Sequence, residues 1–298
     1  MKTETITSAQ NQKIKTLLAL QEKSRTRRET GLFVVEGRRE LEHCIDAGFI
    51  PKTLFVCREI IPAEDLDRII RKTEEALHSA EGGFSQDHGH QAPKSRTVQQ
   101  RQGISVIEVT ASLYGRLAYR EGTEGIIAEI GWGERDLDCL ELGEKPLIAV
   151  LERVEKPGNL GAVLRSADAA GADAVIICDP LTDLYNPNLI RASIGAVFTT
   201  QVVTATSEDT IKWLKMKGIR ILTAQLQDSQ WYYDTDMRAG TAIVMGTEAT
   251  GLTPIWREAA DAHIRIPMLG RLDSLNVSVS AAILLYEAVR QRHSESSR

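Results

Sequence analysis

Residues 146–178 read PLIAVLERVEKPGNLGAVLRSADAAGADAVIIC, and this stretch decides the fold class. Residues 147–151 form a continuous apolar run, as expected of a strand covered on both faces. Residues 159–170 follow as a helix, with Asn159 at the expected N-cap and Gly171 at the expected C-cap. Residues 174–178 are a second apolar run. Strand, helix and strand in that order make a crossover unit, which belongs to a parallel sheet. The grammar continues downstream. Residues 187–198 and 206–217 read as helices, the latter with Thr206 and Asp209 spaced as a capping box and Gly218 as its stop. Residues 201–204, 219–223, 241–245 and 263–266 read as strands, and residues 277–292 as a last helix. The expectation is an α/β domain over residues 146–298 built on a mainly parallel sheet with helices on both faces.

Upstream, residues 1–131 mix basic helices with short strands and read as a smaller α/β domain. Helices are expected over 13–21, 38–47 and 65–77, and strands over 32–37, 53–56, 104–109 and 125–128. Residues 78–103 are rich in Gly, Ser, Gln and His, with few apolar positions, and predict a mobile insertion. Residues 132–145 are acidic and irregular and read as the linker.

Composition narrows the class. The chain has 298 residues, 42% of them hydrophobic, and no run long enough for a membrane span. Residues 1–6 lack the apolar stretch of a signal peptide, so the expected compartment is the cytoplasm. Cys44, Cys57, Cys139 and Cys178 form no CxxC pair and read as reduced thiols. His78, His88 and His90 sit in a polar stretch, and no metal site is expected. The net charge of −5 does not mark a nucleic-acid binder, yet Lys13, Lys15, Lys23, Arg25, Arg27 and Arg28 face only Glu22 within residues 13–28. This run reads either as a solvated helix face or as a phosphate-contacting arm.

Three segments put Gly, Asn, Ser or charge where an ordinary strand–helix junction does not need them. The first, residues 155–168, holds Asn159, Gly161 and Arg165 and follows a buried strand. In such sheets ligands bind beyond the carboxyl ends of strands. The second, residues 245–252, brackets Glu248 between Gly246 and Gly251. It has no Gly-Lys-Ser/Thr ending and so is not a phosphate loop. The third, residues 266–280, leaves a strand at Pro267 and opens the last helix with Ser274, Leu275, Asn276, Val277 and Ser278. Taken singly, these are a capped helix with a surface arginine, a tight turn, and a polar helix start.

In their order and spacing, the three segments resemble the signature motifs of the SpoU-type RNA ribose 2′-O-methyltransferases of the SPOUT superfamily. Asn159, Gly161 and Arg165 match the Asn-x-Gly-x-x-x-Arg motif. Gly246, Glu248, Gly251 and Leu252 match the second, and Pro267, Ser274, Leu275, Asn276 and Ser278 the third. Family members often carry Gly where this chain has Ala249. The first half resembles, more loosely, the ribosomal-protein-like substrate domain of ribosomal-RNA members, through residues 33–37 and 124–128.

The resemblance implies a C-terminal domain tied in a deep trefoil knot, S-adenosylmethionine (SAM) as cofactor, RNA as substrate and a homodimer. It places the cofactor against Gly246, Ile266 and Leu275, with Ala224, Met268 and Gly251 beside them. It places Arg165 at the reacting hydroxyl, with Asn159, Glu248, Ser274 and Asn276 in support. Guanidinium is always protonated, so Arg165 is expected to grip phosphate and lower the hydroxyl pKa, leaving the proton acceptor open. Lys13, Lys15, Arg25, Arg27, Arg28 and Arg38 form the expected phosphate-facing set. The two-domain layout points to 23S ribosomal RNA as substrate. Transfer RNA, or a non-catalytic RNA-binding ribosome-assembly protein, are the alternatives. A nucleotide-dependent oxidoreductase lacks its Gly-x-Gly-x-x-Gly fingerprint after a strand.

Overall fold

A strand that is apolar at every position must be covered on both faces, and the centre of the second half follows this rule. The computed structural model of the protein describes residues 2–81, 103–119, 124–133, 135–247 and 250–295. In chain order the elements are β1 (Lys2–Ile6), α1 (Gln12–Glu22), α2 (Ser24–Thr30), β2 (Leu32–Glu36), α3 (Arg38–Asp46), β3 (Pro51–Val56), α4 (Ala63–Glu81), β4 (Ser105–Val109), α5 (Ala111–Leu117) and β5 (Ile126–Gly131). There follow β6 (Leu147–Glu152), α6 (Pro157–Ala169), β7 (Ala174–Cys178), α7 (Pro187–Ala192), α8 (Ala196–Thr199), β8 (Val202–Ala205), α9 (Ser207–Met216), β9 (Arg220–Ala224), β10 (Gln230–Trp231), β11 (Thr241–Met245), α10 (Pro254–Ala259), β12 (Ala262–Arg265) and α11 (Val277–Glu295). The chain forms two compact units. One is Met1–Glu134 with Leu184–Phe198, the other Arg135–Asp183 with Thr199–Arg298.

In the second unit seven strands pair in parallel, in the order β10-β12-β9-β11-β6-β7-β8. From β6 the chain steps outward to β7 and β8, then crosses to the other side, where β11 inserts between β9 and β6. The order therefore reverses at the β6–β11 pair, and the crevice beyond its carboxyl ends is where open α/β sheets bind ligands. One face of the sheet buries Ile148, Val150, Ile176 and Val244 against Trp213, Leu214 and Trp256. Residues 135–145 do not behave as a linker. Leu137 is buried in this core, Asp136 Oδ1 caps a short turn by accepting from Cys139 N–H (3.1 Å), and Gly143 N–H donates to Asp173 (3.0 Å).

The first unit is a mixed five-stranded sheet, β1-β4-β3-β5-β2, in which β5 runs antiparallel to both its neighbours. The apolar stripe of α1, Ile14, Leu17 and Leu20, packs on Val34, Phe55, Ile107, Ile127 and Tyr114. Residues 184–198 join this unit through aromatic contacts. Tyr185 stacks on Phe33 of β2 at 4.4 Å between centroids, and Trp132 meets it edge-on at 4.6 Å. The single helix expected over 187–198 is two, because Ile194 and Gly195 take left-handed φ of 54° and 83° and end α7. Of the expected mobile insertion, residues 78–81 continue α4, while 82–102 lie outside the described residues.

Glu129 of β5 is an acidic side chain within this sheet, only 9% exposed. Burial pushes its carboxyl up to about 7, against the lowering effects of a Thr53 hydrogen bond and of Lys13 and Lys52. The folded chain thus holds this proton to higher pH than the unfolded chain. Its contribution is complete below about pH 4.5 and is lost as pH rises to about 7. Glu129→Gln is therefore expected to raise the melting temperature relative to wild type at about pH 8 and not at about pH 4, as read by thermal denaturation at the two values. Among the described residues no helix is long and apolar enough to cross a membrane.

Candidate functional site

All three motif segments leave carboxyl ends of the parallel sheet: the first follows β6, the second β11 and the third β12. After β6, Arg153 takes a left-handed φ of 54° and its N–H donates to Cys178 O at the end of β7 (2.9 Å). The chain then enters α6 at Pro157. Lys156, not Asn159, is the N-cap, because a proline suits the first helical position, where its missing N–H costs nothing. Asn159 is thus the third residue of α6, half-buried, and its role shifts from cap to contact.

That contact is with the third motif. Asn276 Nδ2 donates to Asn159 Oδ1 (3.3 Å). Asn276 Oδ1 accepts from Ser278 N–H (2.9 Å) and Ser278 Oγ (2.6 Å), capping α11. Gly161 is buried where α6 packs on α11. Ser274, exposed, donates to its neighbour Asp273 (3.4 Å). Arg165 is exposed and makes no hydrogen bond or ion pair among the described residues. Asn159 and Asn276 therefore tie the first and third segments together, Ser274 bonds only within its own segment, and none of the three fixes Arg165.

The second motif is a tight loop. Thr247 pairs with Gly251, whose N–H donates to Thr247 O (2.9 Å), and the Thr247 and Thr250 hydroxyls bond at 2.8 Å. Gly251 needs its left-handed φ of 66°. Gly246 is required by space: a Cβ there would lie 2.3 Å from Gly251 C and O and 2.6 Å from Leu252 N. Glu248 and Ala249 lie outside the described residues. Ala224, Ile266, Met268 and Leu275 are half-buried. Ala224 pairs in register with Ile264, two residues before Ile266. Half-buried apolar side chains suit a neutral aromatic ring better than a polyphosphate. Among the described residues no group of His, Cys, Asp or Glu is arranged to hold a metal ion.

Sequence reasoning missed Glu152, the last residue of β6. It is 1% exposed and ties three elements together. Its carboxylate accepts from Thr253 N–H (2.8 Å) and Thr253 Oγ1 (2.5 Å), one residue past the second motif and at the N-cap of α10. Ser207 Oγ, at the start of α9, lies 3.2 Å from it and 2.6 Å from Asp179, and accepts from Trp256 Nε1 (3.0 Å). Burial, with Asp179 and Glu152 adjacent, pushes the nearby Cys178 thiol up to about 12, so it stays protonated. A polar last residue on an otherwise apolar strand is the only local sign of this network.

The expected phosphate-facing set divides. Arg27 is 2% exposed, and its guanidinium donates to Leu20 O (2.5 Å) and Gln21 O (3.2 Å) at the end of α1. It caps a helix and does not belong to a phosphate-facing surface, contrary to the expectation from charge alone. Arg38 is committed to Asp65 and Glu124, and Lys13 to Glu4. Arg25 pairs with Glu29 (2.6 Å) but remains exposed, as do Lys15 and Arg28.

Residues 146–286 match the SpoU rRNA Methylase family, and residues 11–128 match the MRM3-like substrate binding domain. The chain is 36% identical, over 64% of its length and 80% of the relative's, to the 23S rRNA (guanosine-2′-O-)-methyltransferase RlmB of Vibrio cholerae. The crystal structure of an RNA 2′-O ribose methyltransferase superposes with a TM-score of 0.74 at 34% identity, covering 97% of this chain and 100% of the other. The AdoMet-bound rRNA methyltransferase of Sinorhizobium meliloti gives a TM-score of 0.81 at 27% identity, covering 97% and 98%.

Proposed function

The chain belongs to the SpoU rRNA methylase family, and on that footing we propose that it methylates a ribose 2′-hydroxyl of 23S ribosomal RNA with SAM as donor. The observation that carries this reading is that three motif segments leave the same end of the sheet, the first and third joined by the Asn159–Asn276 hydrogen bond, with an uncommitted Arg165 on the same helix as Asn159. SAM, when bound, supplies an electrophilic methyl group on sulfonium. Gly246, Ile266 and Leu275 hold it, with Ala224, Met268 and Gly251 around them. Arg165 grips the phosphate next to the target ribose in a bidentate contact and lowers the hydroxyl pKa through its charge. In the transfer the hydroxyl oxygen would take the methyl group, the carbon-sulfur bond would break to leave a neutral thioether, and one proton would be released from the hydroxyl. Asn159 and Asn276 lock the start of α11 to α6, and Glu248 and Ser274 orient the two loops. The reading includes the trefoil threading of the C-terminal segment, a homodimer and a cytoplasmic setting. Mapping 2′-O-methyl sites in ribosomal RNA from cells with and without the gene tests it: one site should vanish with the gene, and an identical map would reject the substrate.

Lys15, Arg25 and Arg28 are the phosphate contacts of this reading in the first unit; all three are exposed, as is Lys13, which like Arg25 pairs with a carboxylate. Arg25→Ala with Arg28→Ala is expected to weaken RNA binding and to reduce the slope of log affinity against log salt by about one to two, with SAM affinity unchanged. Titration of a labelled RNA fragment at several salt concentrations measures this. An unchanged slope removes α2 from the RNA surface.

A further inference from the structure

The first unit carries an aromatic side chain that methyl transfer itself leaves unused. Among the unit's described residues Tyr119 is the only exposed large apolar side chain, at 53%. Its N–H donates to Glu36 Oε2 at the end of β2 (2.9 Å). The guanidinium of Arg191, on α7, lies over its ring 4.6 Å from the centroid and donates to Asn188 Oδ1 (2.8 Å). Gln21, near the end of α1, borders the same cleft and donates its amide to Leu117 O (2.9 Å).

A cation over an aromatic ring is common in proteins, about once per seventy to eighty residues, and by itself marks nothing. Three features distinguish this pair. The ring is exposed where the other large apolar groups of the unit are covered. Asn188 holds the guanidinium through one hydrogen bond, and the segment leading into α7 is anchored through Tyr185 on Phe33, so the pair is positioned in advance of any ligand. The exposed cations Lys23, Arg25 and Arg28 follow Gln21 directly along the chain. A ring and a guanidinium plane are the surfaces on which splayed RNA bases stack, whereas phosphates require only charge.

We propose that Tyr119 and Arg191 form a stacking platform for an unpaired base of the RNA substrate, with the α2 cations on the adjoining phosphates. The proposal rests on the reading of the chain as an RNA methyltransferase. It also gives residues 184–198 a purpose: they carry Arg191 from within the methylase-matching region into the substrate-binding unit.

The test compares Tyr119→Ala, Tyr119→Phe and Arg191→Lys in steady-state methyl transfer, with RNA and SAM varied separately. Tyr119→Ala should raise KM for RNA about tenfold, as expected of one lost stacked base, and leave KM for SAM and the melting temperature unchanged. Tyr119→Phe should restore RNA affinity, since the ring and not the hydroxyl stacks. Arg191→Lys should weaken RNA, since lysine keeps the charge and loses the plane. An unchanged RNA KM in Tyr119→Ala, an equal loss in Tyr119→Phe, or full RNA affinity in Arg191→Lys overturns the platform. If the wild type transfers methyl to no RNA, the functional reading fails first. Fluorescence of a short single-stranded RNA containing 2-aminopurine then judges the platform alone: quenching by wild type and not by Tyr119→Ala supports it, and no quenching by wild type overturns it.

Discussion

Arg165→Ala is expected to lower the rate of methyl transfer by about a hundredfold to a thousandfold, the scale found when one hydrogen-bond donor is removed from a reacting centre. The loss should fall on kcat and on KM for RNA, with SAM affinity retained. The structural basis is that Arg165 projects from α6 into solvent with no hydrogen bond or ion pair among the described residues. Removing it leaves no buried partner unsatisfied, so the melting temperature should hardly move, as for surface substitutions generally. An exposed, unpaired arginine contributes little to folding, and its purpose lies with something that binds. Arg165→Lys separates charge from geometry. A lysine retains the positive charge but lacks the planar fork, so activity should stay well below wild type. Full activity in Arg165→Lys would rule out the bidentate grip and leave a simple charge effect.

Gly246→Ala is the second large effect. The new Cβ would meet Gly251 C and O at 2.3 Å and Leu252 N at 2.6 Å, all backbone atoms. No side-chain rotation relieves such contacts, so the Thr247–Gly251 pairing must open and the loop must move away from the end of β11. A stability loss of about 1–3 kcal/mol follows from the overpacking. SAM affinity should fall at least about tenfold, about 1.4 kcal/mol, because the displaced backbone is the part assigned to the cofactor. Gly158→Ala is the control. Gly158 lies in the first turn of α6, where an added methyl would meet nothing within 4 Å, so this variant should bind SAM as wild type does and melt no lower. Calorimetric titration with SAM and thermal denaturation of both variants decide the matter. Equal SAM affinity in Gly246→Ala and Gly158→Ala would remove the second motif from the cofactor site.

The parts of the fold that are legible in the sequence are those where local pattern and tertiary environment agree. The runs at 147–151 and 174–178 are apolar at every position because β6 and β7 are covered on both faces, and Gly171 and Gly218 stop their helices with left-handed φ of 63° and 68°. What escapes depends on partners distant in sequence. Arg27 reads as one more cation in a basic run, and only the packing of α2 against the end of α1 turns it inward onto Leu20 O and Gln21 O. Leu137, Leu140 and Leu142 are spaced irregularly in an acidic stretch, and their burial comes from a core assembled by other segments. β1 gives no local signal because four of its five residues are exposed, and its strand character comes from pairing with β4, about a hundred residues on. Of the site, the motif residues are visible through resemblance. Their physical links are not: the Asn159–Asn276 bond spans 117 residues and the Glu152–Thr253 bonds 101.

The most direct test of the central claim is transfer of labelled methyl from SAM to 23S ribosomal RNA isolated from cells lacking the gene, with purified wild type and Arg165→Ala side by side. The expected result is incorporation at one ribose 2′-oxygen by the wild type, reduced by about a hundredfold or more in the variant. No incorporation by a folded wild type that binds SAM, or equal incorporation by both proteins, would contradict it.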